Sequence, residues 1–177
     1  MAGPFSIKTP RLEIIAGNHE MAVAEMTNIL NLSTILKAEF SFGWPPPENN
    51  EKTMEWFFNK SYDNPHHRGW LLWYFVHMER GKRIVIGNGG FTGPPNKYGI
   101  VECGYSILEP AQRNGFATEA VGGLASWAFA HKTVKKVGAR TKPNHEASIT
   151  VLKNNGFKKK ERKSTDGKVM YELERKE

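Results

Sequence analysis

The stretch "LEPAQRNGFATEA", Leu108 to Ala120, decides how the rest of the chain is read. A strand-like run, "IVECGYSIL" (Ile100 to Leu108), ends where it begins, and a helical pattern takes over near Phe116. Between them stand Pro110, Gln112, Arg113, Asn114 and Gly115, with almost nothing apolar in the turn. Two readings are open. One is a tight turn with Asn114 as the cap. The other is a seat for an anion, because the first N–H groups of a helix lack intrahelical partners and the dipole places partial positive charge there. Gly115 would let a ligand approach the backbone with no Cβ in the way. Arg113 adds a full charge, and Ala117 keeps the second helical position uncrowded.

The 177 residues are 39% hydrophobic and 24% charged, which suits one globular domain spanning 1–177. No apolar run approaches the roughly 18 residues that span a bilayer. The start, "MAGPFSIKTPRLEII", lacks the basic-then-apolar order of a secretory signal, and Ala2 excludes N-myristoylation, so the cytoplasm is the expected compartment. The single cysteine, Cys103, leaves no internal disulfide and is expected to be a core thiol. A formal charge of +7 implies attraction to anions: a phosphorylated cofactor, an acidic peptide or RNA. The densest basic run, "KKKERK" (Lys158 to Lys163), also reads as a solvated strand edge.

Along the chain, "RLEIIA" (Arg11 to Ala16) reads as a first strand. A mainly helical stretch from His19 to about Ser61 is broken at "FGWPPPENN", since prolines cannot continue a helix. Strands follow at "WLLWYFVHM" (Trp70 to Met78), "RIVIGNGGF" (Arg83 to Phe91) and Ile100 to Leu108. Phe116, Ala120, Leu124 and Ala128 form an i, i+4 stripe in a helix running to about Lys132. "KKVGARTK" is a strand, a helix resumes with Asn144 as N-cap and Gly156 at C′, and a hairpin through "TDGK" closes the chain. The order β, helices, βββ, α, β, α, ββ specifies a mixed α/β fold around one sheet. "GNGG" (Gly87 to Gly90) is no dinucleotide loop, because Thr92 stands where the third glycine belongs; a bulge or turn is expected instead. Gly122 and Gly123 inside a helix point to close packing, and the histidines offer no metal-binding pair.

Gln112-Arg113-Asn114-Gly115-Phe116-Ala117 fits the pattern Q/R-x-x-G-x-G/A, and "ECGYSILEPAQRNGFATEAVGGLASWAF" resembles the acetyl-CoA-binding strand, loop and helix of the GNAT acetyltransferases. "NHEASITVLKNNGF" resembles their later helix and the glycine–phenylalanine pair that follows it. "TPRLEI" is typical of the branch that includes ribosomal-protein N-terminal acetyltransferases, the RimJ/RimL-like group. The resemblance implies a GNAT fold of the α/β (α+β) class: one mixed, mostly antiparallel twisted sheet of about six to seven strands flanked by helices. It also implies a splay between the strand at 100–108 and the strand at about 135–141.

The same resemblance implies acetyl-CoA as co-substrate, with no metal. The pyrophosphate would rest on Gln112, Arg113, Asn114, Gly115, Ala117 and Thr118, and the pantetheine arm along Ile107 and Leu108. His145 stands where relatives carry asparagine, with Asn144 one residue earlier. Either Asn144 caps the helix and His145 takes the cofactor contact, or the helix start has shifted by one. The reaction implied is direct attack of a primary amine on the thioester in a ternary complex. The acceptor would be a peptide or protein N-terminus, or a small-molecule amine. Glu102 is the candidate base and equally reads as a network carboxylate. Leu152 stands where many relatives have a proton-donating tyrosine. Ser148 matches a serine of the ribosomal-type branch and would bond the thiol sulfur, though a helix-interior serine is its plain alternative. Phe42, Trp44 and Glu48 are placed at the acceptor mouth, or in packing. An α-amine, with a pKa near ~8 against ~10.4 for lysine, needs less help in losing its proton. Two other function classes stand beside this one: a non-catalytic GNAT-like module binding CoA or a protein, and a basic RNA- or ribosome-binding domain. The absence of an RNP-type aromatic motif weighs against the latter. No membrane or DNA partner is expected, and a homodimer is one state of association.

Overall fold

The computed structural model describes residues 5–163 and 166–176. The chain opens with a hairpin, β1 (Ser6–Lys8) and β2 (Leu12–Ala16). Three helices follow: α1 (His19–Thr27), α2 (Ile29–Leu36) and, after the two-residue β3 (Glu39–Phe40), α3 (Glu51–Asp63). Each begins on an asparagine. The side chains of Asn18, Asn28 and Asn50 accept from the N–H groups of Met21, Leu30 and Thr53, which satisfies a first-turn donor in each helix. Then come β4 (Leu72–Glu79), β5 (Lys82–Phe91), β6 (Ile100–Ile107), α4 (Phe116–Phe129), β7 (Lys136–Thr141), α5 (Glu146–Asn154), β8 (Lys158–Lys163) and β9 (Val169–Glu174).

The strands form one sheet in the order β1-β2-β4-β5-β6-β7-β9-β8, with β3 beside β5. Pairing is antiparallel except for β6–β7 and β3–β5. The parallel β6–β7 pair needs a crossover, and α4 supplies it. The nine strands among the described residues exceed the expected number because β1 and β3 span three and two residues, too few to show a period-2 pattern.

Both faces of the sheet are covered. On β4, Trp73 and Phe75 join the core under α4 and α5, while Tyr74 and Val76 alternate into the core under α1 to α3. Gly123 allows α4 to lie close on the first hairpin: a Cβ there would sit 3.1 Å from Ile14 Cδ1 and Thr9 Cγ2. On β5 the glycines serve close approach as well, since a Cβ at Gly89 would lie 2.5 Å from the Gly104 carbonyl oxygen. The bulge or turn expected within Gly87–Gly90 lies one residue earlier: that run pairs regularly with β4, and the register shift between Phe75 and Val76 skips Ile86.

The feature that makes a site is the parting of β6 and β7. They pair only from Ile100↔Lys136 to Glu102↔Gly138. Beyond that point β6 stays with β5, from Cys103↔Phe91 to Ile107↔Gly87, and β7 stays with β9. The sheet therefore opens between Cys103–Ile107 and Ala139–Thr141.

Two helix boundaries differ from expectation. α4 ends at Phe129, and α5 starts at Glu146 with His145 in the cap position, so Asn144 lies one residue outside it. The N-terminal residues 1–4, which include the Ala2 position, and the Ser164–Thr165 start of the last turn lie outside the described residues. Among the described residues no helix is long and apolar enough to cross a membrane.

Candidate active site

A cleft of about 680 Å³ fills the splay. Gly104, Tyr105 and Ser106 of β6 form one wall; Ala139, Arg140, Thr141, Asn144, His145 and Ser148 form the other. Asn88 to Thr92 of β5 floor it, and Glu48, Asn49, Thr53 and Trp56 close its far side.

At one end of β6 lies the loop on which the sequence reading turned. Arg113 and Gly115 both take left-handed backbone angles, with φ of 62° and 79°. Gly115 is the cap residue of α4, and no side chain caps the helix. Among the described residues, the backbone N–H groups from Arg113 to Thr118 have no protein acceptor. A curl of free N–H groups on a helix N-terminus is an anion nest. The Asn114 amide does not cap the helix; it donates to the carbonyls of Ala111 and Gln112, 3.2 and 2.9 Å away, and stiffens the loop. Gln112 Nε2 donates to the Ile107 carbonyl at 2.9 Å and ties the loop to β6.

Arg11 clamps the loop from outside. Its Nη1 donates to the Asn114 carbonyl at 2.8 Å, its Nε to Glu119 Oε2 at 2.7 Å, and its guanidinium lies over the Phe116 ring. Thr9 Oγ1 also donates to Glu119, at 2.6 Å. Burial alone would push the Glu119 carboxyl up; the bonds from Thr9 and Arg11 outweigh it and hold the group below its ordinary value. This network gives the "TPRL" start of the chain a physical task that the sequence did not disclose.

Backbone direction on β6 follows from its known bonds. Leu108 N–H donates to Ile86 O and Thr92 N–H to Glu102 O, so even-numbered residues bond β5 and odd-numbered ones turn to the splay. Tyr105 and Ile107 therefore present their backbone to the cleft, the Ile107 carbonyl already being held by Gln112. Leu108, expected to pair with the cofactor arm, has its N–H committed on the opposite side.

The side chain of Tyr105 was missed by sequence reasoning. Its hydroxyl lies 3.0 Å from Ser148 Oγ and donates to the Ser148 carbonyl at 3.2 Å, joining β6 to α5 across the cleft. Burial pushes the phenol up to about 12, partly offset by the Ser148 bond, so it remains a protonated donor across the physiological range. Cys103, on the same side of β6, is buried in the core, and burial raises its thiol to about 12.

Glu102 is placed differently from a free base. Arg140 Nε donates to Glu102 Oε1 at 2.5 Å and Arg140 Nη1 to Asp166 at 3.3 Å. Arg140 lines the cleft, and Glu102 stands behind it. Among the described residues, Glu48 is the only carboxylate that lines the cleft. Its backbone N–H donates to Ser106 Oγ at 3.3 Å, which pins the proline-rich segment to β6. Trp44 does not reach the cleft. Its Nε1 donates to Glu25 at 3.0 Å, and its ring packs edge-on against Phe40. Phe42 projects into solvent, 95% exposed. Asn144 and His145 both line the cleft, so the one-residue ambiguity between them concerns the cap and not access. No group of titratable side chains suited to a metal ion occurs among the described residues.

The family model for the acetyltransferase (GNAT) domain matches residues 20–158. The chain belongs to the GNAT acetyltransferase family. Within it, the chain is similar to the uncharacterized N-acetyltransferase YjdG of Bacillus subtilis, 29% identical over 90 residues that cover 51% of this chain and 52% of that protein. The chain thus spans about half the length of the curated relatives it matches. Among solved GNAT-like structures, a putative ribosomal-protein-serine acetyltransferase from Vibrio cholerae superposes with a TM-score of 0.64 at 16% identity, covering 99% of this chain and 100% of that one. The Microcin C7 self immunity acetyltransferase MccE, solved with acetyl-CoA and AMP, superposes with a TM-score of 0.65 at 17% identity, covering 98% of each. Identities this low speak for the GNAT fold alone.

Proposed function

We propose that this chain is an acetyl-CoA-dependent N-acetyltransferase of the RimJ/RimL-like branch, transferring an acetyl group to a primary amine by direct attack. The observation that carries the reading is the unsatisfied N–H curl from Arg113 to Thr118, which follows directly on the end of β6, the strand that walls the cleft of about 680 Å³. MccE, which shares the fold, was solved with acetyl-CoA, and the ribosomal-protein acetyltransferase likeness of the Vibrio cholerae structure favours the branch.

In this reading the pyrophosphate sits on the backbone of Arg113 to Thr118 and Gln112 orders the loop. The arm runs along the splay-facing backbone of Tyr105 and Ile107, with Asn144 and His145 opposite. Three tasks remain for the chemistry. The Tyr105 N–H faces the splay and donates to the oxyanion as the tetrahedral intermediate forms. When the C–S bond breaks, Ser148 Oγ–H protonates the departing thiolate and takes a proton from the Tyr105 hydroxyl in turn. Tyr105 thereby fills the place that Leu152 leaves vacant, which favours turnover over a silent binding module. The incoming amine gives up its proton to Glu48, the cleft's own carboxylate, and Glu102 acts by holding Arg140 in place.

Calorimetric titration with acetyl-CoA tests the reading. Saturable binding is expected, weakened by Gly115→Trp, whose side chain would occupy the anion seat. Absence of heat at millimolar acetyl-CoA would contradict it.

A further inference from the structure

Two side chains in the cleft each carry a polar atom that finds no partner among the described residues. Asn49 and Asn88 are each 3% exposed, and both line the cleft. Among the described residues, Asn49 Oδ1 has no donor and Asn88 Nδ2 has no acceptor. A buried polar atom without a partner carries its full desolvation cost, and native structures tolerate few of them. One orphan acceptor and one orphan donor in a single cleft describe a ligand with an N–H and a carbonyl.

The orientation of Asn49 is fixed from behind. Its Nδ2 donates to Glu25 Oε1 at 3.3 Å, and the opposite flip would set its oxygen against that carboxylate. Glu25 in turn receives the Tyr74 hydroxyl at 2.5 Å and Trp44 Nε1 at 3.0 Å. Burial raises the Glu25 carboxyl above its ordinary value, and the bonds from Tyr74, Trp44 and Asn49 counter this. Asn88 sits opposite Tyr74 on β4 and Ser106 on β6, so the three share one face of the sheet. That face looks toward α1 to α3, away from the Tyr105–Ser148 pair.

We propose that Asn49 and Asn88 are the specificity-determining residues of the acceptor side, and that the acceptor carries a carbonyl next to its amine. Asn49 Oδ1 accepts an N–H of the acceptor, and Asn88 Nδ2 donates to the carbonyl of its first residue. A peptide or α-amino amide satisfies both atoms; an alkylamine leaves Asn88 unpartnered. The inference rests on acetyl transfer in the same cleft, so its test includes a readout independent of turnover.

The probes are alanyl-alaninamide and propylamine, compared at equal free-amine concentration with the full chain. In titrations without acetyl-CoA, the side-chain amide NMR signal of Asn49 is expected to move with both amines and that of Asn88 with the dipeptide amide alone. In thiol-release assays with acetyl-CoA, the ratio of kcat/KM for the two acceptors is expected to fall about tenfold in Asn88→Asp, which keeps the shape and replaces the donor with an acceptor. Equal Asn88 shifts with both amines, shifts with neither, or an unchanged ratio in Asn88→Asp would overturn the proposal. Signals that move while no thiol is released would instead count against acetyl transfer and leave the recognition standing.

Discussion

Tyr105 and Ser148 lie 43 residues apart in sequence and 3.0 Å apart at their oxygens. Neither is a strong acid alone; in the proposed reaction the pair passes one proton to the thiolate, and burial pushes the Tyr105 phenol up to about 12. Tyr105→Phe is expected to lower kcat about a hundredfold with little change in KM for acetyl-CoA, as removal of an acid that acts only in the transition state should. Ser148→Ala should cost a similar factor, and the double variant little more than either, because one path is broken in each case. Additive losses in steady-state thiol release would show that the two residues act separately. For the carboxylates, Glu48→Gln is expected to lower kcat/KM about a hundredfold, whereas Glu102→Gln should lower the melting temperature by freeing Arg140. A loss of turnover in Glu102→Gln with Glu48→Gln left active would return the base to Glu102. The sequence exposed Ser148 and Glu102 through resemblance to family positions. It could not expose Tyr105 or the Arg140 pairing, because both depend on which residue arrives from across the splay.

At the scale of elements, the loop and α4 form one unit with the first hairpin. Glu119 in the first turn of α4 suits the helix dipole but would repel a phosphate nearby. Thr9 and Arg11 draw its charge aside and fasten the loop carbonyl with the same guanidinium. The Glu119 carboxyl titrates below its ordinary 4.5, so its bonds favour the fold above that pH and are lost as pH falls through the depressed value. The melting temperature of the wild type should therefore fall more steeply below about pH 4.5 than that of Glu119→Gln. Superimposable acid limbs would show that the clamp adds nothing to stability. Strand, loop and helix here were legible because their signals are local: an apolar run, a polar turn with Gly115, and an i, i+4 stripe. Asn144 misled as a cap because the peptide at Lys142–His145 turns before α5 begins, with His145 N–H donating to Lys142 O. β1 and β3 were illegible for want of length, and the reading of "KKKERK" as a solvated strand edge agrees with β8 at the end of the sheet. Lys160 of that run pairs with Glu172 at 3.2 Å, which reduces the free charge available to RNA.

The whole molecule divides its labour across one sheet. The α4–α5 side carries the anion nest and the Tyr105–Ser148 pair; the α1–α3 side carries Glu48, Asn49 and Asn88; the splay joins them. Gly104 stands at the join. A Cβ built there meets nothing within 4 Å, and valine suits a strand, so Gly104→Val should fold normally while filling the cleft. That residue permits the most direct test of acetyl transfer in the splay: thiol release from acetyl-CoA in the presence of alanyl-alaninamide, for wild type and Gly104→Val side by side. Acetyl transfer in the splay requires saturable release by the wild type and its loss in Gly104→Val at an unchanged melting temperature. No release by the wild type, or equal release by both proteins, would contradict it.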